Sequence, residues 1–560
     1  MKKWKCVKRI AVIILLCASF LLAAGCSGDN GGSSSDADEN RVLDENGVYS
    51  TGYPIVKDKL TLSVMSYDFN NGTDPKTTEL IKQLEDKTNI HLEWTVTAGT
   101  EHAATALQVA YASGELPDII TGYYCDLAYQ WPYIQEGMIQ QLDDLIPKYA
   151  PNIEKMFQEQ PYSKYMSTAL DGKIYTLPSV TISTALDNSM GMLINTKWLG
   201  TLGLSMPKTT SELVNVLRAF KNGDPNGNGK NDEIPMLLHT DLPTEMYGWF
   251  GVSYNSEFPM YLNEKGEAAY APLSEGYKST LKFAASLANE GLLDTRFIGV
   301  DDLNGYKSVI NASVETVGVI GGWNVTLYDM DSERQLSDYS YLDVMAADNA
   351  TYVTAESGYP HVWADKTLIS SKCKNAAAAL RLLDFFYSDE GAMWVNYGPP
   401  GEKNAWHIDA NGKYVKTLEN CPSDMTSSAW LSTLTIGQSF PCYMSTRLDD
   451  LIVEDTTSAT YKIKARDYTE RNEKLKNYKS AQIPDLRYDE DALTFIQAQG
   501  RVIRDPMENT RRAVIKGENN IDAIWNTYVT ETNTHGAAKY ATYASDAYNS
   551  FKDWLANNVG

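Results

Sequence analysis

The stretch from Asn195 to Pro235, NTKWLGTLGLSMPKTTSELVNVLRAFKNGDPNGNGKNDEIP, places a strand end, a helix and an acidic loop in immediate succession. Thr209 or Thr210 can cap the start of the helix. Apolar residues then recur at spacings of three and four, at Leu213, Val216, Leu217 and Phe220. This spacing predicts an amphipathic helix whose apolar face is turned towards a core.

The loop after this helix resembles the beginning of an EF-hand. Side-chain oxygens stand at alternate positions and a glycine follows at the sixth, as calcium coordination by such a loop requires. Position twelve is Pro235, which has no carboxylate, so acidic residues at positions nine and ten would have to complete the coordination sphere. The predicted calcium ligands are Asp224, Asn226, Asn228, Lys230 through its carbonyl, Asp232 and Glu233. A metal-free surface turn is the alternative.

The N-terminus has the pattern of an exported lipoprotein. Residues 1–9 carry five positive charges, and the apolar run 10–24 is shorter than the roughly 20 residues of a membrane span. The sequence around Cys26 resembles a bacterial lipobox, which predicts a signal peptide at 1–25, a lipidated Cys26 and a flexible tether over 26–56. We therefore expect a lipid-anchored protein on the extracellular face of the cell membrane. A plain secretory signal is the alternative.

Composition limits the classes of partner. The chain has 49 basic and 72 acidic residues, and without the leader its formal charge is about −28. Such an acidic surface repels phosphate backbones, so nucleic acid is excluded as a partner.

Beyond the leader, Cys421 and Cys442 flank a region typical of a loop, where a disulfide and two free thiols are both possible.

From Lys57 onwards, strands and helices alternate. Hydrophobic patterns predict strands at 59–65, 91–97 and 118–121, with helices at 74–89 and 102–113 between them. This βαβ order indicates a largely parallel sheet covered by helices on both faces. Ligands of such sheets lie beyond the carboxyl ends of the strands, which here are polar and aromatic.

Several segments resemble one protein family. They are ASGELPDIITGYY (112–124), YIQEGMIQQLDDLIPKY (133–149), DGKIYTLP (171–178), the stretch 193–220, YKSTLKFAASLANEGLL (277–293), VGVIGGWNVT (317–326) and LISSKCKNAAAALRLLDFFYSDEG (368–391). They are similar to the family 1 extracellular solute-binding proteins, lipoproteins that feed carbohydrate ABC importers. The loop at 224–235 resembles the calcium loop of alginate-type oligosaccharide-binding members.

The resemblance implies a two-lobed α/β fold of the periplasmic-binding-protein type (type II), with a hinge between the lobes and a helical C-terminal region. We expect residues 57–180 with 365–415 to form lobe I. Residues 181–364 with 416–560 would form lobe II, which includes the calcium loop. The predicted crossings between lobes lie near 176–184 and 359–366, a loop and hairpin lie at 398–415, and helices lie at 459–479 and from 509 onwards.

The implied function is capture of an oligosaccharide between the lobes by a monomer that delivers it to the permease subunits of an ABC transporter. No HExxH, GxSxG, P-loop or GxGxxG motif is present, and we expect no enzyme activity. A surface enzyme acting on glycosides and an adhesive surface lipoprotein are the alternatives. Predicted ligand-binding residues are Tyr67, Asp68, Tyr123, Tyr124, Trp249, Trp323 and Trp363. We assign Trp198 to the core.

Overall fold

The computed structural model describes most of the chain after the leader. The described residues are 41–68, 72–122, 127–182, 191–255, 259–300, 302–322, 330, 332–342, 345–347, 353–354, 361–417, 420–454, 456–457, 461–463, 465–466, 469 and 478–558. Among them, no helix combines the length and the apolar character needed to cross a membrane. Cys26 and the leader lie outside the described residues.

The first sheet, here called sheet I, has six strands in the described part of the chain. Leu60–Tyr67 lies between Ile90–Thr97 and Ile119–Thr121 and pairs in parallel with both. This confirms the predicted βαβ order. In spatial order the strands are Tyr443–Met444, Thr176–Thr181, His361–Ile369, Ile119–Thr121, Leu60–Tyr67 and Ile90–Thr97.

The second sheet, sheet II, has five strands within the described ranges. In spatial order they are Tyr339–Tyr341, Gly191–Asn195, Val317–Gly322, Ile234–Leu238 and Leu293–Asp294. Val317–Gly322 is parallel to Ile234–Leu238 and antiparallel to Gly191–Asn195. The chain therefore passes from sheet I to sheet II after Thr181 and is back in sheet I by His361, close to both predicted crossings.

Helices cover these sheets, and smaller strands lie outside them. The helices are Glu79–Thr88, Gly99–Ser113, Leu127–Gln135, Ile146–Tyr149, Pro151–Glu159, Pro161–Ser167, Thr196–Thr201, Thr210–Asn222, Thr244–Gly248, Glu275–Asn289, Leu303–Ile310, Ser332–Asp338, Ala376–Phe385, Asp389–Tyr397, Ser427–Leu434, Arg447–Leu451, Glu490–Ile515, Ile521–Thr534 and Ala537–Asn558. The other strands are Met260–Leu262, Ala268–Tyr270, Val353–Thr354, Trp406–Ile408, Tyr414–Lys416, Ile452–Val453 and Lys479–Ser480.

The helix predicted from the opening stretch forms over Thr210–Asn222. Thr209 caps it, since its hydroxyl accepts a hydrogen bond from the Glu212 amide at 3.1 Å. The four predicted apolar residues are buried, and each contributes roughly 1.5–3 kcal/mol to folding. Phe220 contacts the ring of Trp198, which is fully buried as predicted; their centroids lie 5.3 Å apart.

The C-terminal region differs from two sequence predictions: the assignment of 416–560 to lobe II and the start of the helix expected from 509. Tyr443–Met444 pairs in parallel with Thr176–Thr181, so this short strand belongs to sheet I. The helix expected from 509 already begins at Glu490. Sequence periodicity does not show which sheet a two-residue strand joins, because that choice depends on a partner more than 260 positions away. The predicted hairpin is present as Trp406–Ile408 and Tyr414–Lys416.

The last helices contact elements near both sheets. Buried Arg511, on the helix Glu490–Ile515, forms ion pairs with Asp241, just beyond a strand of sheet II, and with Glu508. The final helix places Phe551 against Tyr162, with ring centroids 5.5 Å apart, on a helix that leads into sheet I. The C-terminal helices therefore contact the sheet II side through the ion pair of Arg511 with Asp241, and the sheet I side through the aromatic contact of Phe551 with Tyr162.

Candidate ligand-binding cleft

A cavity of about 440 Å³ lies at the carboxyl edge of sheet I. Gly122, the residue after strand Ile119–Thr121, forms part of its wall, together with residues 362–366 and residues 485–488. Small-molecule sites typically have volumes of about 300–1,000 Å³ and lie beyond the carboxyl ends of such strands. The cavity thus has the size and the position of a ligand site.

A bulge in strand His361–Ile369 forms one wall of the cavity. Trp363 pairs with Ser179 and Thr367 with Leu177, so the register shifts between these two pairs. Bulges of this kind redirect side chains next to binding sites. The residues between them, Ala364, Asp365 and Lys366, line the cavity with Trp363.

The two charged residues of the bulge are held in different ways. Asp365 accepts hydrogen bonds from the hydroxyl of Thr176 at 2.8 Å and from the amide of Leu127 at 2.9 Å, at the start of a helix. Lys366 is buried, and its Nζ lies 4.8 Å from the ring centroid of Trp363. This cation lies over the aromatic plane and helps to fix the orientation of the indole.

Another part of the cavity wall comes from the segment Asp485–Tyr488, which precedes the helix Glu490–Ile515. Arg487 donates from Nη2 to the carbonyl of Ala169 at 2.9 Å, and its Cζ lies 4.9 Å from the ring centroid of Tyr165. Burial lowers the pKa of Arg487, although Tyr165 and Asp365 oppose this effect. The guanidinium is thus partly desolvated at the cavity wall.

Apolar and aromatic surfaces complete the cavity. Trp131 lies on the helix Leu127–Gln135, and its buried Nε1 donates no hydrogen bond to the part of the chain that the structure describes. The remaining lining residues include Met166, Leu486, Leu493, Ile496 and Tyr540. A cavity that combines aromatic planes with a few polar groups suits ligands with both apolar faces and hydroxyls.

The predicted ligand residues have different positions. Trp363 lines the cavity. Tyr67 is buried in an apolar cluster below the strand ends, and Asp68 accepts a hydrogen bond from the Gly72 amide at 2.7 Å; neither is among the lining residues. Tyr123, Tyr124 and Trp323 lie outside the described residues.

The prediction for Trp249 needs correction. This residue is only 1% exposed and belongs to the core beside sheet II, with its ring centroid 6.2 Å from that of Phe283. An indole with so little exposed surface cannot stack on a sugar. The sequence alone did not identify Trp131, Lys366 and Arg487 as cavity residues; the one available signal was the charged pair within the strand segment VWADKTLI, from which no inference was drawn.

The predicted calcium loop forms a compact cluster of oxygen-bearing side chains. The Nδ2 atoms of Asn226 and Asn228 donate to Asp232 Oδ1 at 3.2 and 3.0 Å. Asp224, with a positive φ of 44°, accepts from the amides of Asn228 and Gly229, both at 3.1 Å. Hydrogen bonds within the loop therefore link four of the six predicted ligands, Asp224, Asn226, Asn228 and Asp232.

The carboxylates of this loop differ in environment. Hydrogen bonds from Asn228 and Asn226 lower the pKa of Asp232. Burial raises the pKa of Glu233, and the charges of Asp232 and Asp224 add to this effect. Glu233 Oε1 is buried and has no hydrogen-bond partner among the described residues. A cation here would compensate that oxygen, so the residues fit calcium.

Carboxylates alone do not form a metal site here. Among the described residues, no three His, Cys, Asp or Glu side chains come together in a group that could hold a metal ion. Calcium in this loop would therefore depend on amide and main-chain oxygens as well.

Cys421 and Cys442 are free thiols.

The chain is 27% identical over 569 residues to FusA, a fructooligosaccharide ABC transporter substrate-binding protein of Streptococcus pneumoniae, and the alignment covers 98% of this chain and 99% of FusA. A structure of FusA in complex with kestose aligns with a TM-score of 0.73 at 26% identity, covering 88% of this chain and 99% of FusA. A FusA EF-hand mutant in complex with fructo-nystose aligns equally well.

The alginate-binding protein AlgQ2, solved without calcium ion, shares the fold, with a TM-score of 0.72 at 20% identity over 88% of this chain and 99% of AlgQ2. The sequence model of the bacterial extracellular solute-binding proteins matches residues 71–393, more than half of the chain. Members of this family are binding proteins, and their two-lobed fold agrees with the two sheets and the helical C-terminal region described above. The chain therefore belongs to the bacterial extracellular solute-binding protein family.

Proposed function

We propose that this protein binds an oligosaccharide between its lobes and delivers it unaltered to the permease of an ABC importer. One observation carries the proposal: the cavity at the carboxyl edge of sheet I is lined by Trp363 and Trp131 together with Asp365 and Arg487. Sugar rings present apolar C–H faces to aromatic planes and hydroxyls to polar groups. Similarity to FusA over nearly the whole chain supports fructooligosaccharides as the first ligands to test.

Trp363 is the residue on which this proposal depends most. Lys366 lies against its ring and fixes it, so the ring is positioned before ligand arrives and little further ordering is needed. Stacking one sugar unit on this ring would contribute roughly 1–2 kcal/mol, from the buried area and the aromatic contact. Trp323 stays a predicted second stacking residue.

Isothermal titration calorimetry with kestose tests this function. Trp363→Ala should weaken binding about tenfold, whereas Trp363→Phe, which keeps an aromatic face, should weaken it less. The melting temperature without sugar should change little, because Trp363 is half-buried at a cavity wall. Equal affinity of wild type and Trp363→Ala would remove this residue from the site. Sugar products in the wild-type mixture would favour the enzyme alternative.

The loop Asp224–Glu233 would hold a structural calcium ion. Asp224, Asn226, Asn228, Asp232 and Glu233 would supply side-chain oxygens and Lys230 its carbonyl. Bound calcium would neutralise the clustered carboxylates and fix the chain between the helix Thr210–Asn222 and the strand Ile234–Leu238 of sheet II. The EF-hand of FusA supports this assignment.

The lipobox-like sequence before Cys26 supports a lipid anchor at the extracellular face of the membrane. Such an anchor would keep the binding protein near its permease, with residues 26–56 as the tether. The protein would act as a monomer. Its acidic surface argues against nucleic acid as a ligand.

A further inference from the structure

Arg487 contributes to the cavity from outside both sheets. Its segment is tied to residues on the sheet I side, because Arg487 bonds the carbonyl of Ala169 and the hydroxyl of Tyr162 donates to the carbonyl of Asp485 at 3.0 Å. Tyr165 packs against the guanidinium. These contacts fix the position of the planar group at the cavity wall.

The guanidinium keeps unused donors. Within the described part of the chain, Arg487 makes its hydrogen bond from Nη2 to Ala169, whereas a guanidinium has five N–H groups. Trp131 Nε1, in the same cavity, is a buried donor without an acceptor among the described residues. A buried donor without an acceptor is costly, and the remaining N–H groups of half-buried Arg487 can donate to a ligand, so both side chains favour a ligand rich in oxygen acceptors.

Local charge distinguishes between two kinds of such ligand. Among the described residues, the cavity is lined by two basic side chains, Lys366 and Arg487, and two acidic ones, Asp365 and Asp485. This described part of the lining carries no net positive charge that would neutralise a carboxylate of the ligand. An uncharged sugar unit, which offers neighbouring hydroxyl oxygens, matches this balance better than a uronate unit does.

We infer that Arg487 determines specificity: its guanidinium donates to two adjacent hydroxyl oxygens of an uncharged sugar unit that packs on Trp363, while Trp131 Nε1 donates to a further oxygen. This inference rests on the proposed function and specifies the kind of sugar unit that the same site takes. A planar fork matches two adjacent acceptors, and the ammonium group of lysine does not reproduce it.

Calorimetric titrations with kestose and with trigalacturonate test the inference on wild type, Arg487→Met, Arg487→Lys and Trp131→Phe. Arg501→Met is the matched control, because Arg501 is exposed on the helix Glu490–Ile515 and does not line the cavity. Arg487→Met should weaken kestose binding about 10- to 100-fold, as expected for lost charged hydrogen bonds. Arg487→Lys should recover only part of that loss, Trp131→Phe should weaken binding about fivefold, and Arg501→Met should bind like wild type.

Melting curves without sugar separate recognition from folding. Methionine keeps an apolar stem over Tyr165, so the Arg487→Met curve should stay close to the wild-type curve. If the Arg487→Met protein melts at a clearly lower temperature than wild type, the kestose affinity of Arg487→Lys, which retains length and charge, is compared with wild type instead. Wild-type affinity for kestose in both variants would overturn the assignment of Arg487. Tighter wild-type binding of trigalacturonate than of kestose would overturn the preference for uncharged units. A wild-type protein that binds neither sugar would contradict the proposed function itself.

Discussion

Replacing Arg511 by methionine should destabilise the protein more than any surface charge change. Its side chain is 3% exposed and forms ion pairs with Asp241 and Glu508, whose side chains are 29% and 12% exposed. Tyr254 donates to Glu508 at 2.8 Å, and the Arg511 Cζ lies 5.6 Å from the Tyr254 ring centroid. Burial alone would lower the pKa of Arg511, but Asp241 and neighbouring tyrosines raise it well above its usual value.

The loss of stability in Arg511→Met follows from the carboxylates that the substitution leaves without their ion-pair partner. Removing one partner of a buried ion pair costs about 3–5 kcal/mol, because the remaining charge is buried without compensation. Asp241 can still reach water, so we expect a loss near the lower limit, about 3 kcal/mol. The entropy of unfolding is about 2.1 cal/mol/K per residue, or roughly 1.1 kcal/mol/K for a body of about 520 residues. The melting temperature should therefore fall by about 3 °C.

Differential scanning calorimetry at neutral pH measures this effect. Arg512→Met is the matched control: Arg512 is the next residue of the helix, its side chain is 44% exposed, and it lies 3.7 Å from the same Glu508. Exposed pairs contribute about 0–1 kcal/mol, so this variant should melt within about 1 °C of wild type. Equal shifts for the two variants would refute the argument that burial of Arg511 makes its ion pairs important.

Three further predictions follow from other sites. Chelation should lower the melting temperature and calcium should restore it, by about 2.7 kcal/mol at a hundredfold excess over Kd; a melting curve unaffected by chelator, with no bound metal in elemental analysis, would contradict the calcium loop. Burial raises the pKa of Asp384 to about 7 from 3.8, so stability present below pH 4 should be lost as pH rises through 7. Asp384→Asn should therefore be the more stable protein at pH 8, by up to roughly 4 kcal/mol, and the difference should disappear at pH 4; a difference independent of pH in urea unfolding would argue against this. Cys26→Ala should abolish palmitate labelling and leave an unprocessed precursor, and equal labelling of variant and wild type would exclude the anchor.

Local patterns in the sequence predicted the parts of the fold that depend on local physics. The helix Thr210–Asn222 and the strands and helices between Leu60 and Thr121 follow hydrophobic periodicity, because one face of each must be buried. The order of these elements then implied a parallel arrangement, which the three strands of sheet I between Leu60 and Thr121 have, whereas His361–Ile369 is antiparallel to both of its neighbours. The loop after Asn222 was predicted from side chains that lie within ten positions of one another.

The parts that depend on distant partners could not be predicted in this way. Arg487 reaches the cavity through a bond to Ala169, 318 positions earlier, and no local pattern indicates that contact. Similarly, the bulge at Ala364–Lys366 exists only relative to the strand Thr176–Thr181. Trp249, which directly follows the helix Thr244–Gly248, shows the converse error: a tryptophan outside a predicted strand or helix has the same sequence signature whether its ring enters a cleft or, as here, the core.

The most direct test of the account is equilibrium binding of kestose to the intact protein, followed by chromatography of the recovered sugar. The account predicts saturable binding of one kestose per chain, recovery of the sugar unchanged, and about tenfold weaker binding when Trp363 is replaced by alanine. Absence of saturable binding to kestose and to longer fructooligosaccharides, or recovery of shortened sugars, would contradict the claim that this protein captures an oligosaccharide for transport.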